Sequence, residues 1–285
     1  MRPDRRKFLT RGAAAAGTLL LGGCDQLSQS PAFMNVINSA ENLTRGAQRL
    51  LVGDNLAPEY TEAEISRVFK ANGSTDPQDE DYLALVKDNF ASWKLGVEGL
   101  VDKPAQFSLA DLRAMPARTQ ITRHDCVEGW SCIGKWTGVP LSEVLNRVGV
   151  KPQAKYVVFY AADDMDADEE EEDGDEETDT SAQTRIAGTG NVGQKTERED
   201  IGSSYYETIE LRDAHHPQTI LAYDMNGKAL TVPHGAPLRL RVERMLGYKM
   251  AKYLMRIELV ENFADIGKGK GGYWEDRGYD WYAGI

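Results

Sequence analysis

The chain has 285 residues, 41% of them hydrophobic, with 27 Gly, 11 Pro and three Cys. That is enough apolar material for the core of one large or two small domains, and it excludes a wholly disordered or fibrous chain. The formal charge of −12 is concentrated: 13 acidic residues and no basic one lie between Asp163 and Asp179, leaving the remainder at +1 without the clustered Lys/Arg surplus that a nucleic-acid binder needs.

Residues 1–24 read as an export signal. Arg5-Arg6-Lys7-Phe8-Leu9 is a twin-arginine box, Ala13 to Leu21 is an apolar run too short to span a bilayer, and Leu21-Gly22-Gly23-Cys24 closes it. The box resembles the signal of the twin-arginine (Tat) route, which exports folded proteins. The last four residues resemble a lipobox, which implies lipidation of Cys24 and a lipid anchor to the membrane; ordinary cleavage nearby is the alternative. The expected location is the periplasm. Exported proteins usually place Cys in disulfides, and Cys126 and Cys132 could close a small loop. A chain this rich in apolar residues does not need that staple, so at least one of the two thiols is expected to be reactive.

Residues 25–87 form a polar arm laid over a domain at 88–285. Its helical pieces are Asn42 to Val52 and Thr61 to Phe69, the second opened by a Thr61/Glu64 capping box. Trp93 to Val101 alternates like a strand, Ser108 to Met115 is a short capped helix, and Leu141 to Val148 is a helix with Ser142 as cap. Lys155 to Tyr160 is a buried strand, and Thr219 to Tyr223, Leu238 to Val242 and Met255 to Val260 are further strands. Short strands with few helices between them define a mixed α+β fold.

The stretch 163–203 interrupts this pattern with the acidic run and a low-complexity tail. It reads as a disordered, solvated insert, because it holds too little apolar surface to offset its ordering entropy. A Ca²⁺ loop would need Gly at the sixth position of an acidic frame, which is missing. Gly188 to Gly193 matches a dinucleotide fingerprint only formally, with no strand before it and no helix after.

Three clusters could carry chemistry. Arg123 to Cys132 is the densest in reactive side chains; flanked by Arg123 and His124, Cys126 should tend toward thiolate, against the opposing Asp125. A ligand to a soft metal, a Cys126–Cys132 redox disulfide and an inert thiol all remain open, whereas zinc lacks any paired ligand spacing. His234-Gly235-Ala236-Pro237-Leu238-Arg239 and Gly247-Tyr248-Lys249-Met250-Ala251-Lys252 present basic groups among glycines, which suits an anionic phosphate.

Taken in order, these clusters resemble the molybdopterin-dependent oxidoreductases of the sulfite oxidase type. The resemblance rests on Lys94 to Val101 with Leu109 to Pro116, on Cys126 to Leu141, on Leu221 to Arg239 and on Gly247 to Ile257. The Cys-Val-Glu-x-Trp-Ser stretch is similar to exported bacterial members such as the catalytic subunit of periplasmic methionine-sulfoxide reductase. The resemblance implies a mixed-sheet molybdopterin-binding domain and a molybdenum held by one molybdopterin and the Cys126 thiolate, soft sulfur suiting such a metal. It places His234 and Arg239 on phosphate or pterin, Met250, Ala251 and Lys252 on the loop closing over it, and Asn89 and Ser92 near the pterin-binding start of the domain. Cys132 is then structural and buried.

The departures shape the expected reaction. Sulfite oxidases surround their anion with arginines, one in a Phe-x-Arg-Asn-His segment and one five residues after the metal-binding cysteine. The corresponding places read Asp88-Asn89-Phe90-Ala91-Ser92-Trp93 and Ser131. Reduction of a sulfoxide or N-oxide, on a small molecule or an oxidised protein, is therefore expected over sulfite oxidation, with a non-catalytic anion- or partner-binding lipoprotein as the alternative of another class. The chain has no haem motif, so electrons are expected from a b-type haem membrane subunit or a soluble cytochrome. About 25 residues follow Val260, too few for the family's dimerisation domain, and a monomer is expected.

Overall fold

The computed structural model describes residues 31–165 and 203–285. The export signal, Cys24, Gly188 to Gly193 and the acidic run beyond Met165 lie outside the described residues. The chain divides into two compact units, Met1–Asp54 and Asn55–Ile285.

In the first unit α1 (Pro31–Val52) starts on a proline, whose fixed φ suits the first helical turn, and runs well beyond the expected Asn42 start. Gly53 (φ +58) stops it, donating its N–H to Arg49 O at 3.0 Å. Among the described residues no helix is long and apolar enough to cross a membrane.

The second unit begins at Asn55, so much of the expected arm belongs to the main body. The Thr61/Glu64 box forms, with Thr61 N–H and hydroxyl both on Glu64 Oε2 at 2.8 Å, yet it opens only a 3-10 turn, Glu62–Glu64, instead of a helix to Phe69. The sheet claims the flanking backbone: Tyr60 N–H donates to Ile121 O (2.8 Å) and Ser66 N–H to Ile133 O (3.0 Å). Next comes α2 (Glu80–Lys87), capped by Asp79.

Two five-stranded sheets follow. The first is ordered β2 (Ala105–Ser108), β1 (Lys94–Gly99), β10 (Leu254–Val260), β5 (Tyr156–Asp164) and β6 (Ser204–Glu210), with β1 and β10 parallel and the other neighbours antiparallel. The second is ordered β3 (Arg118–Asp125), β4 (Ser131–Pro140), β7 (Ile220–Met225) and β8 (Lys228–Ala229), with β9 (Arg239–Arg241) also on β7. The expected mixed α+β class is what forms. β7 and β8 meet at Asn226-Gly227, whose φ values of 51° and 78° suit a tight hairpin turn.

The main core joins Leu95 and Val97 of β1, Val157, Val158 and Phe159 of β5, and Ile257 and Leu259 of β10 to Leu141, Val144, Leu145 and Val148 of α4 (Leu141–Val148). Side chains of both faces of β5 are buried, which explains its continuous apolar run. α4 keeps its expected bounds, but its cap is Pro140, two residues before Ser142, and Leu141 N–H is satisfied by Thr219 O at 3.0 Å. The short helix α3 (Leu109–Arg113) has its expected cap, Ser108 Oγ accepting from Asp111 N–H at 3.1 Å. β5 also outruns Tyr160. Asp164 pairs with Ser204, and Met165 N–H donates to Ser203 O at 3.1 Å. Asp163 and Asp164 are thus strand residues, which moves the start of the insert past Met165.

Candidate functional site

Cys126 stands at the turn between β3 and β4. His124 pairs with Cys132 and Asp125 with Ser131, and the intervening loop is closed by Cys126 N–H on Trp130 O (2.9 Å) and Gly129 N–H on Cys126 O (3.0 Å). Gly129 takes φ +86, in the left-handed region that favours glycine. Cys126 and Cys132 are both free and half-buried. Cys132 packs against the small cluster around Phe69 and Trp136, its Sγ 3.8 Å from Val68 O.

The flanking charges do not activate Cys126 as the sequence suggested. Alternation along β3 puts Arg123 outward, where its guanidinium is occupied by Asp125 at 2.9 Å. His124 points inward and is fully buried. Burial and the nearby Arg241, Arg239 and Lys252 hold its imidazole well below the usual histidine range, so it is neutral. Its Nδ1 accepts from Arg241 Nη1 at 3.0 Å, which leaves the proton on Nε2. Burial, with a lesser contribution from Glu128, pushes the Cys126 thiol up instead of down.

The thiol opens into a pocket whose other walls include Met250, Ala251 and Lys252, the loop that the sequence assigned to closure. Lys252 is buried, and its ammonium donates to the carbonyls of Ser74 and Pro233 and to Tyr253 Oη. Gly247 must be glycine, because an added Cβ would lie 2.5 Å from His124 Nε2.

Arg239 and His234 stand beside this pocket rather than on its wall. Arg239 is wholly buried, stacks over Trp136 at 5.0 Å and donates Nη1 to His234 O at 3.0 Å. Its Nε and Nη2 have no partner among the described residues. Burial, with Arg241 close by, pushes its guanidinium down to about 9. The carboxylate near it among the described residues, Glu243, is already gripped by Arg241 at 2.9 and 2.6 Å. His234 lines a neighbouring cavity with Phe69, its Nε2 3.2 Å from Phe69 O and its Nδ1 2.9 Å from Thr231 Oγ1.

Asn89 and Ser92 are not brought to the site. Asp88 folds the turn after α2 back on itself, taking the Ser92 hydroxyl at 2.5 Å and the amides of Ala91 and Ser92 at 3.1 Å, and both residues stay exposed. Asn72, Gly73 and Ser74 line the pocket in their place. The signal was in the sequence: Phe69-Lys70-Ala71-Asn72-Gly73 fits the Phe-x-Arg-Asn-His segment better than Asp88 to Trp93 does, with Ala71 at the arginine place and Gly73 at the histidine place. The arginine is still missing, some twenty residues upstream of the stretch first read for it.

The donor set fits an anionic, polyfunctional group. Arg239 Nε and Nη2, Ser74 Oγ, Asn72 Oδ1 and His124 Nε2 are buried polar atoms without a hydrogen-bond partner among the described residues. Each such orphan would cost about 1–3 kcal/mol unless a ligand satisfied it. A buried cation without a carboxylate, beside free acceptors and donors and a lone thiol, suits a phosphorylated pterin with a thiophilic metal.

Fold and site together define a molybdopterin-binding oxidoreductase. The family model described as the oxidoreductase molybdopterin binding domain matches residues 83–187 and 179–265, and the chain belongs to that family. Its cofactor is molybdenum with molybdopterin, and the non-catalytic alternative falls with the assignment. A protein of Azospira oryzae with the provisional name protein-methionine-sulfoxide reductase subunit YedZ1 is 33% identical over 286 residues, covering 99% of this chain and 88% of its own. The protein-methionine-sulfoxide reductase catalytic subunit MsrP of Xanthomonas campestris is 30% identical over 265 residues, covering 92% and 71%. Among solved structures, the sulfane dehydrogenase SoxCD of Paracoccus pantotrophus superposes with a TM-score of 0.44 at 23% identity, covering 60% of this chain and 38% of that one.

Proposed function

We propose that this enzyme reduces an uncharged sulfoxide or N-oxide at a molybdenum ligated by Cys126, on the extracytoplasmic side of the membrane. The observation that carries the reading is the charge of the pocket. Glu128 and Asp163 line it beside Cys126, and no arginine is among its described lining residues. Lys252, the lining cation, is spent on the Ser74 and Pro233 carbonyls, and Glu128 is paired with Lys70 at 3.2 Å, so an anion such as sulfite would meet carboxylates and no uncommitted cation there, whereas a neutral oxo-substrate meets none of that repulsion. The relatives named as methionine-sulfoxide reductases support the same direction.

In this reading Cys126 Sγ holds the metal, Arg239 and Lys252 face the phosphate, and Asn72 and Ser74 accept from and donate to the pterin. The bound cofactor supplies oxygen-atom transfer. For a sulfoxide, two electrons and two protons yield a thioether and water. Neutral His124, fixed by Arg241, packs against Gly247 of the pocket wall and adds no charge behind it. In the same reading electrons come from a b-type haem membrane subunit or a soluble cytochrome, and the twin-arginine box and lipobox support a periplasmic enzyme anchored through Cys24.

Metal analysis and X-ray absorption on the Cys126→Ser variant test the ligand: loss of one molybdenum–sulfur contact is expected, and unchanged coordination overturns the assignment. A reduced-dye assay over a panel of sulfoxides, N-oxides and sulfite tests the reaction. Faster turnover of sulfite than of every neutral substrate would reverse the proposed direction.

A further inference from the structure

We infer that the stacked pair Trp274 and Tyr279 is the substrate-selecting wall of the Cys126 pocket, taking the apolar substituents on either side of a sulfoxide sulfur. The inference rests on the sulfoxide reading of this site and names the chemistry that recognises its substrate.

Both rings line the pocket that holds Cys126. Their centroids are 5.3 Å apart at 28°, and Tyr248, also on the wall, meets Tyr279 edge-on at 5.3 Å and 88°. Val127 and Met165 complete an apolar mouth. Tyr279 and Val127 remain 38% and 46% exposed although they are large and apolar. Uncovered apolar surface at the opening of a reactive pocket marks a place where a ligand is bound. Aromatic faces attract the polarisable sulfur and its methyl or methylene groups, and they offer no charge to hold an oxyanion.

The wall is built to be rigid. Tyr279 N–H donates to Trp274 O at 3.0 Å and Gly278 N–H to Glu275 O at 3.1 Å, and Gly278 at φ +110 allows the chain to turn back. Behind it, buried Lys249 holds Glu275 Oε1 at 2.6 Å and also binds Glu207. Each member of this triad is one or two residues from a pocket-lining aromatic: Glu275 from Trp274, Lys249 from Tyr248, Glu207 from Tyr205. Trp274 and Tyr279 also lie beyond residue 265, where the family match ends. The wall is thus supplied by a segment outside the matched domain.

The test uses the cofactor-loaded enzyme and the variants Tyr279→Ala, Tyr279→Phe and Trp274→Leu, with methyl phenyl sulfoxide as substrate and methyl phenyl sulfide as a non-reducible probe whose binding is read by calorimetry. For Tyr279→Ala and Trp274→Leu, KM and the sulfide Kd should rise about tenfold with kcat within twofold, and Tyr279→Phe should match wild type. Unchanged KM and Kd in Tyr279→Ala, whose ring is partly exposed and not needed for the core, overturn the inference. A fall in kcat at constant KM overturns it as well, because the rings would then act on the chemistry. If loaded wild type reduces no sulfoxide, the proposed reaction fails, and the sulfide Kd still decides the wall.

Discussion

The Lys249→Met variant isolates the energetics of the buried triad. Lys249, Glu207 and Glu275 are each at most 1% exposed, and one ammonium faces two carboxyl groups. Burial, reinforced by Glu275, raises the Glu207 carboxyl well above its ordinary 4.5, against the opposing pull of Lys249. Burial depresses the Lys249 ammonium, but Glu207 and Glu275 outweigh it and the net shift is upward. Removing the ammonium leaves two carboxyl groups without a cation, which costs about 3–5 kcal/mol. In a unit of this size that is a loss of about 6–20 °C in Tm at pH 8. Acid partly relieves it, since Glu207, raised further once the Lys249 charge that lowers it is gone, can then be neutral in the folded state. A raised folded-state pKa gives stability that is present below the unfolded value and is lost as pH rises through the folded one, so the variant should gain about 1.4 kcal/mol relative to wild type per pH unit of acidification within that window. Thermal unfolding of loaded wild type and variant at pH 5 and pH 8 measures both quantities. A Tm loss under about 3 °C at pH 8, or an equal loss at both pH values, would refute the reasoning.

Three further outcomes follow from the same geometry. Arg239→Met keeps the stacking volume over Trp136 but removes three charge-assisted donors, so molybdenum and pterin retained through gel filtration should fall at least about tenfold while far-UV circular dichroism is unchanged; full retention would dissociate Arg239 from the cofactor. Gly247→Ala drives a Cβ against the buried His124 ring and should cost about 1–3 kcal/mol, seen as a lowered denaturant midpoint with an unchanged slope. Excising residues 166–202 and joining Met165 to Ser203 by a short turn should leave Tm within about 3 °C and molybdenum content intact, because the two ends are already hydrogen-bonded; a large loss of cofactor would assign the insert to the active site.

What could be read from the sequence follows from which faces are apolar. β1 and β10 were legible because Leu95, Val97, Ile257 and Leu259 alternate with polar residues, and β5 because both of its faces are buried. β3 was not, since its inward residues are Gln120, Thr122 and His124, held by partners distant in sequence such as Glu243 and Arg241. The same alternation defeats the expectation of an activated Cys126, because neighbours in sequence on a strand point to opposite faces. His234, Arg239 and the 250–252 loop were found as basic residues among glycines. Asn72 and Ser74 were passed over because a short polar stretch looks like a linker until the Lys252 ammonium and the Tyr253 hydroxyl are seen to hold Ser74 O.

The span of the pocket bears on how this enzyme is made. Its walls run from Asn72 to Tyr279, nearly the whole length of the described main body. Contacts of such sequence separation form late, after the loop-closure entropy between them has been met. A growing chain therefore has no complete binding site until Trp274 and Tyr279 have left the ribosome. Truncation between Val260 and Trp274 removes part of the site wall while leaving all ten strands encoded. Loss of residues 274–285 would strip the aromatic wall from the pocket and, by removing Glu275, also take one carboxyl group from the buried Lys249.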